Sequence, residues 1–182
     1  MGKAIGMIEF KTVSAGITAA DRMVKTASVE IIEAQTVCPG KYIALITGEL
    51  SAVRAAVDTA IQTCEHQLID SFVLGNPHES IFPAIYGTTQ IEKVAALGIL
   101  ETYDAASIIV AADEAAKTAL VDLIELRIAK GMCGKSYLLL TGEVAAVDAA
   151  IERAKSVVAP KGMFLDSSVI ASPDEQICRT IL

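Results

Sequence analysis

The chain has 182 residues and a formal net charge of −7, with 53% hydrophobic residues but only 4% aromatic ones and no tryptophan. The absence of a basic run argues against nucleic acid as a partner, and no apolar run approaches the ~18–20 residues of a membrane helix. The four cysteines, Cys38, Cys64, Cys133 and Cys178, form no CxxC pair and have no histidine at zinc spacing, which speaks against a secreted disulfide scaffold and for thiols that are free or ligating in a reducing cytosol.

Met1 to Gly6 reads as the start of a strand and lacks a signal-peptide pattern; glycine stands at position 6, where an N-myristoylation signal needs Ser or Thr. The first strand is expected over 4–10. Ser14 is expected to cap a helix whose apolar positions Ile17, Ala20, Val24 and Ala27 fall at helical spacing. Two β-branched runs follow, 29–36 and 42–47, joined at Val37-Cys38-Pro39-Gly40-Lys41. Pro39 and Gly40 suit a tight turn, so Cys38 is placed at the tip of a hairpin. A second helix is expected over 49–65, with Leu50, Val53, Val57, Ala60, Ile61 and Cys64 on one stripe. A fourth strand, 68–74, precedes a short helix opened by Pro77.

The same order then returns. Ala4-Ile5-Gly6-Met7-Ile8-Glu9 recurs as Ala96-Leu97-Gly98-Ile99-Leu100-Glu101, and Asp21 to Val29 aligns with Asp113 to Val121, both at an offset of 92. Lys41 and Thr47-Gly48-Glu49-Leu50 return as Lys135 and Thr141-Gly142-Glu143-Val144 at an offset of 94. Asp70-Ser71, Pro77, Glu79 and Ile81 return as Asp166-Ser167, Pro173, Glu175 and Ile177 at an offset of 96. Four matched blocks in order, with slowly growing offsets, define a tandem duplication. Two residues are inserted in the tip loop of the second copy. That copy predicts a strand over 96–102, a helix from Asp104, a hairpin over 120–141, a helix over 144–158, a strand over 163–171 and a short helix from Pro173. The order β-α-β-β-α-β gives an α+β class: two ferredoxin-like domains, each a four-stranded antiparallel sheet with helices on one face. Their boundaries are drawn at 1–86 and 95–182, with 87–94 as linker.

These residues resemble the bacterial microcompartment shell-protein domain. The resemblance rests on Ala4 to Glu9, Ala19 to Ala27, Gly40-Lys41 and Thr47 to Val57, with their counterparts in the second copy. It implies flat cyclic hexamers that tile a polyhedral shell in the cytoplasm; a tandem chain would form a homotrimer of six pseudo-equivalent domains, assembling with other shell proteins. The unpermuted order and Cys38 make the chain similar to the iron–sulfur tandem shell proteins of propanediol-utilisation microcompartments. That similarity implies one [4Fe–4S] cluster per trimer, ligated at the three-fold axis by Cys38 from each subunit. The cluster would pass electrons across the shell or be delivered to a lumenal or cytosolic redox enzyme. The pore loops would be Val37, Cys38, Pro39 and Gly40 in the first copy and Met132, Cys133 and Gly134 in the second.

Alternatives stand beside this reading. Cys38 alone is a surface thiol in a turn, and a tile with a central metabolite pore needs no redox role. A three-cysteine zinc site is a further alternative. Cys133 is one residue out of step with Cys38, in a longer loop, and is read as a free thiol near the axis. Cys64 is read as core and Cys178 as uncommitted. Lys25 and Lys117 match at the ends of the first helices, where a cation is favoured by the helix dipole; the family likeness makes them inter-trimer edge lysines. Glu9 and Glu101 match and read as structural, Arg54 and Asp148 as a solvated face, and His66 and His78 have no metal-spaced partner. No nucleophile–base pair or phosphate-binding glycine loop points to an enzyme.

Overall fold

The computed structural model describes residues 4–182, so the reading of Met1 to Lys3 lies outside the described residues. The chain divides into two compact units, residues 1–77 and 78–182.

The first unit holds β1 (Ala4–Phe10), α1 (Val13–Thr26), β2 (Val29–Val37), β3 (Lys41–Gly48), α2 (Leu50–Thr63) and β4 (Leu68–Leu74). Its antiparallel sheet has the order β2-β3-β1-β4, the split-βαβ arrangement expected from the element order. Both helices cover one face. Ala4, Ile8 and Phe10 of β1 meet Ala19 and Met23 of α1 and Val53 and Val57 of α2 in one core. Gly6 belongs to that face: a Cβ there would lie 2.6 Å from Val53 Cγ1, so glycine lets α2 approach the sheet.

Two features of α1 differ from the expectation. Thr12, not Ser14, is the N-cap, and Ser14 sits inside the first turn, where its carbonyl accepts from the Thr18 hydroxyl. The buried stripe is Ala15, Gly16, Ala19, Ala20 and Met23, while Ile17 and Val24 are exposed. In so alanine-rich a helix the small residues pack closest, and residue size misidentified the inward face.

The second unit opens with α3 (Ile81–Tyr86), followed by β5 (Ala96–Thr102), α4 (Ala105–Thr118), β6 (Val121–Arg127), β7 (Ser136–Gly142), α5 (Val144–Val158), β8 (Phe164–Ile170) and α6 (Glu175–Ile181). Its sheet order, β6-β7-β5-β8, repeats the first. The pairings Gly6↔Ile46 and Gly98↔Leu140 correspond, as do the shifts between Ile31 and Glu33 and between Leu123 and Glu125. Asp104 caps α4 by accepting from the Ser107 amide at 2.8 Å. The short helices start later than their prolines: Ser80 is the N-cap of α3 and Asp174 that of α6, whose side chain accepts from the Gln176 amide at 2.8 Å. Pro77 and Pro173 therefore lie ahead of these helices rather than in their first turns. Although α3 follows the first repeat in sequence, it packs on β6 and α4.

Candidate functional site: two hairpin tips

The β2–β3 hairpin closes in three residues, Cys38-Pro39-Gly40. The Gly40 amide donates to the Val37 carbonyl at 3.0 Å, and the Cys38–Pro39 peptide is cis, which defines a type VI turn. Gly40 has φ +99, a conformation that favours glycine, with open space where a Cβ would stand. Cys38 is half-buried and free of any disulfide.

Two contacts brace the base of this tip. Lys41, opposite Val37 in the ladder, forms an ion pair with the buried carboxylate of Glu9. Tyr42 packs over α1 at Gly16, where a Cβ would stand only 2.5 Å from Tyr42 Cβ and 2.6 Å from its Cγ. Matched positions in the second repeat are Ile108 and Ser136, both fully buried. The small-under-large arrangement of the first repeat is thus inverted in the second.

The β6–β7 tip is built differently. Its loop runs over 128–135, with Ala129 (φ 53), Gly131, Cys133 (φ 54) and Gly134 in the left-handed region. The Ser136 hydroxyl accepts from the Ala129 amide at 3.0 Å, and the Lys135 amide donates to the Met132 carbonyl at 3.1 Å. A serine where the first repeat has Tyr42 therefore secures the longer loop. Cys133 is exposed.

Below this tip, the Tyr137 hydroxyl donates to Glu125 Oε2 at 2.7 Å, and Arg127 Nε donates to Glu125 Oε1 at 2.9 Å. The Arg127 guanidinium lies 5.4 Å from the Tyr137 ring centroid. Burial first, then the bond to Glu125 and that carboxylate's charge, push the Tyr137 phenol up to about 12, with Arg127 opposing. The hydrogen bond to Glu125 raises Arg127 further above its already high value. This cluster was not legible in sequence, because its members meet only through ladder register.

The structure gathers Val37, Cys38, Pro39 and Gly40 at one tip and Met132, Cys133 and Gly134 at the other, in different compact units. Cys64 stands at the C-cap of α2, half-buried against the helix-side core, and Cys178 lies in α6. Lys25 and Lys117 end α1 and α4, paired with Asp21 at 2.7 Å and Asp113 at 2.6 Å. His66 is exposed, and its carbonyl accepts from Lys11 Nζ at 3.1 Å. His78 has a backbone role that its isolation in sequence did not reveal: its amide donates to Asp113 Oδ1 at 2.7 Å.

Among the described residues, no three Cys, His, Asp or Glu side chains converge as a metal site. Each chain presents one thiol at the first tip, so a cluster fits Cys38 only where several copies contribute.

Two split-βαβ sheets in tandem, with matched strand order and registers, define a duplicated domain. The chain belongs to the BMC-domain family, whose profile matches residues 4–77 and 96–173. It is 37% identical to the bacterial microcompartment shell protein PduT of Citrobacter freundii, over all of this chain and 99% of that protein. The carboxysome shell protein CsoS1 of Prochlorococcus marinus is 38% identical over 88 residues, covering 47% of this chain and 85% of that protein. A crystal structure of a microcompartment protein from Desulfitobacterium hafniense DCB superposes with a TM-score of 0.95 at 43% identity, covering 98% of this chain and 99% of that one. The chain is thus a structural component of a bacterial microcompartment shell and not an enzyme. No helix among the described residues is long and apolar enough to cross a membrane.

Proposed function

We propose that three copies of this chain close into a pseudohexameric shell tile in which the Cys38 thiolates meet on the three-fold axis and hold one [4Fe–4S] cluster. The observation that supports this most is the Cys38 tip: a free, partly exposed thiol on a three-residue turn braced by Glu9–Lys41 and by Tyr42 over Gly16. Closed symmetry turns one such thiol into three. Three thiolates satisfy three irons of a cube, leaving the fourth to water, a small ligand or an external partner. Such a cluster supplies one-electron chemistry, suited to electron transfer across the shell or to delivery to a redox enzyme. The full-length similarity to PduT supports the propanediol-utilisation type. Lys25 and Lys117 are assigned to the edge between neighbouring tiles.

Cys38 holds the cluster, while Tyr42 and Lys41 hold the turn that carries it. Cys133, on a loop built around other hydrogen bonds, is left as an axial thiol outside the ligand set. The test is visible absorbance and paramagnetic resonance on anaerobically purified protein. The parent and Cys133→Ser should both be brown with a reducible centre, and Cys38→Ser colourless. A colourless parent, with no signal after anaerobic reconstitution, would transfer the assignment to a tile with a metabolite pore.

A further inference from the structure

We infer that the face of the second sheet turned away from α4 and α5 carries a binding site for a monocarboxylate with a short apolar tail, held by Arg127 and Thr89. The site lies within one compact unit and is independent of the axial cluster. A Cβ at Gly98 would meet Leu140, Val147 and Ile151, so Leu140 points towards α5. Side chains alternate along a strand, and Tyr137 and Leu139 therefore face the other way. On that face a cavity of about 440 Å³ opens within the second compact unit, a size suited to a small ligand. Its floor is apolar: Ile124 and Leu139, both buried, and Ile181 of α6.

The polar groups that line this cavity have donors left over. Arg127 Nε and Nη2 donate to Glu125 Oε1 at 2.9 and 2.5 Å, and the Tyr137 hydroxyl donates to Glu125 Oε2 at 2.7 Å. Both carboxylate oxygens are thus engaged. The end-on fork of the guanidinium, Nη1 with the outer N–H of Nη2, has no partner among the described residues. Thr89 Oγ1 is shielded from solvent and also has no partner among them. An orphaned hydroxyl of this kind is unfavourable, and a turn about χ1 towards an acceptor in the cavity relieves it. The unused capacity is therefore donor capacity, which selects an acceptor-only group, and a carboxylate on an arginine fork is a strong pairing. The apolar floor selects its tail. A phosphate would set more charge beside Glu125 and has no apolar part to cover that floor.

The first repeat has the same sheet positions without the site. By ladder register Glu125, Arg127, Tyr137 and Leu139 correspond to Glu33, Gln35, Ile43 and Leu45. There Gln35 Nε2 donates to Glu33 Oε1 at 2.6 Å, and Ile43 and Leu45 are fully buried. Cation and phenol are both missing. Two domains with one strand order and one register do not require this difference, so it is a specialisation of the second repeat. Glu125 lies beside the guanidinium and offsets part of its attraction for an anion, so binding is weak, with a Kd on the order of 1 mM.

The test titrates full-length protein with sodium butyrate, followed by isothermal calorimetry and by saturation-transfer difference NMR on the butyrate methyl group, with butyramide as the neutral isostere. Saturable butyrate binding is expected, and butyramide should bind about 10-fold more weakly because it brings no charge to the fork. That comparison is made on the parent and depends on no variant. Arg127→Gln, which installs the residue type of the matched position Gln35, should weaken butyrate binding about 10-fold. Thr89→Val keeps the side-chain volume and should weaken binding about 3-fold while melting no lower than the parent, since it removes an unpaired hydroxyl. Circular dichroism checks that each variant is folded. No saturation by about 50 mM butyrate, equal binding of butyramide, or unchanged binding in either variant overturns the inference.

Discussion

Gly16→Ala is the sharpest probe of how the fold supports the Cys38 tip. In a helix interior alanine is favoured over glycine by about 0.8–1 kcal/mol, so propensity alone predicts stabilisation. The structure reverses the sign. The added methyl would stand 2.5 Å from Tyr42 Cβ and 2.6 Å from Cγ. A contact at Cβ cannot be relieved by swinging the far end of the ring, so β3 or α1 must shift. Overpacking of this kind costs about 1–3 kcal/mol. The balance is a net loss of up to about 2 kcal/mol, lowering the melting temperature by up to about 8 °C for a chain of this size. Because Tyr42 is paired with Thr36 in β2, the shift also reaches the Cys38 turn. Urea unfolding and differential scanning calorimetry measure the cost. The pair Gly16→Ile with Tyr42→Ser, which installs the residues found at Ile108 and Ser136, should lose less than its single variants combined, with a coupling of about 1 kcal/mol or more. A melting temperature for Gly16→Ala at or above the parent's would refute the reasoning.

Three further outcomes are expected. Lys25→Ala with Lys117→Ala should leave the trimer intact and weaken the growth of two-dimensional sheets; sheets formed as readily as by the parent, seen by electron microscopy, would remove both lysines from the tile edge. The raised Tyr137 pKa implies stability that is full below pH ~10, the ordinary tyrosine value, and is lost as pH climbs towards about 12; the phenolate difference spectrum between parent and Tyr137→Phe should have its midpoint near that upper value, and a midpoint near 10 would contradict the burial and Glu125 contact. Cys64→Ser should cost about 1 kcal/mol in urea unfolding, since a hydroxyl replaces a half-buried thiol packed on the core, without changing any bound iron.

Much of the fold was legible because it is written twice. β1, β4, β5 and α5 have their expected bounds, and the matched blocks set the sheet order. Lone helical stripes were less informative: α1 is so rich in alanine that its larger residues, Ile17 and Val24, point outward, and the short helices start past their prolines where Ser80 and Asp174 cap them. Cys38 could be placed at a tip from Pro39 and Gly40, whose local geometry needs nothing distant. The Asp113–His78 clip and the Glu125–Arg127–Tyr137 cluster could not be read, since each depends on how separate elements pack.

The central claim is that one thiol per chain serves a shared axial site, and the ratio of iron to chains tests it directly. Iron and acid-labile sulfide should be measured with protein concentration on anaerobically purified trimer, for the parent and for Cys38→Ser. The account predicts about four irons and about four sulfides per three chains, with both lost in Cys38→Ser while the trimer persists. Iron retained in Cys38→Ser, or about four irons in every chain, would contradict it.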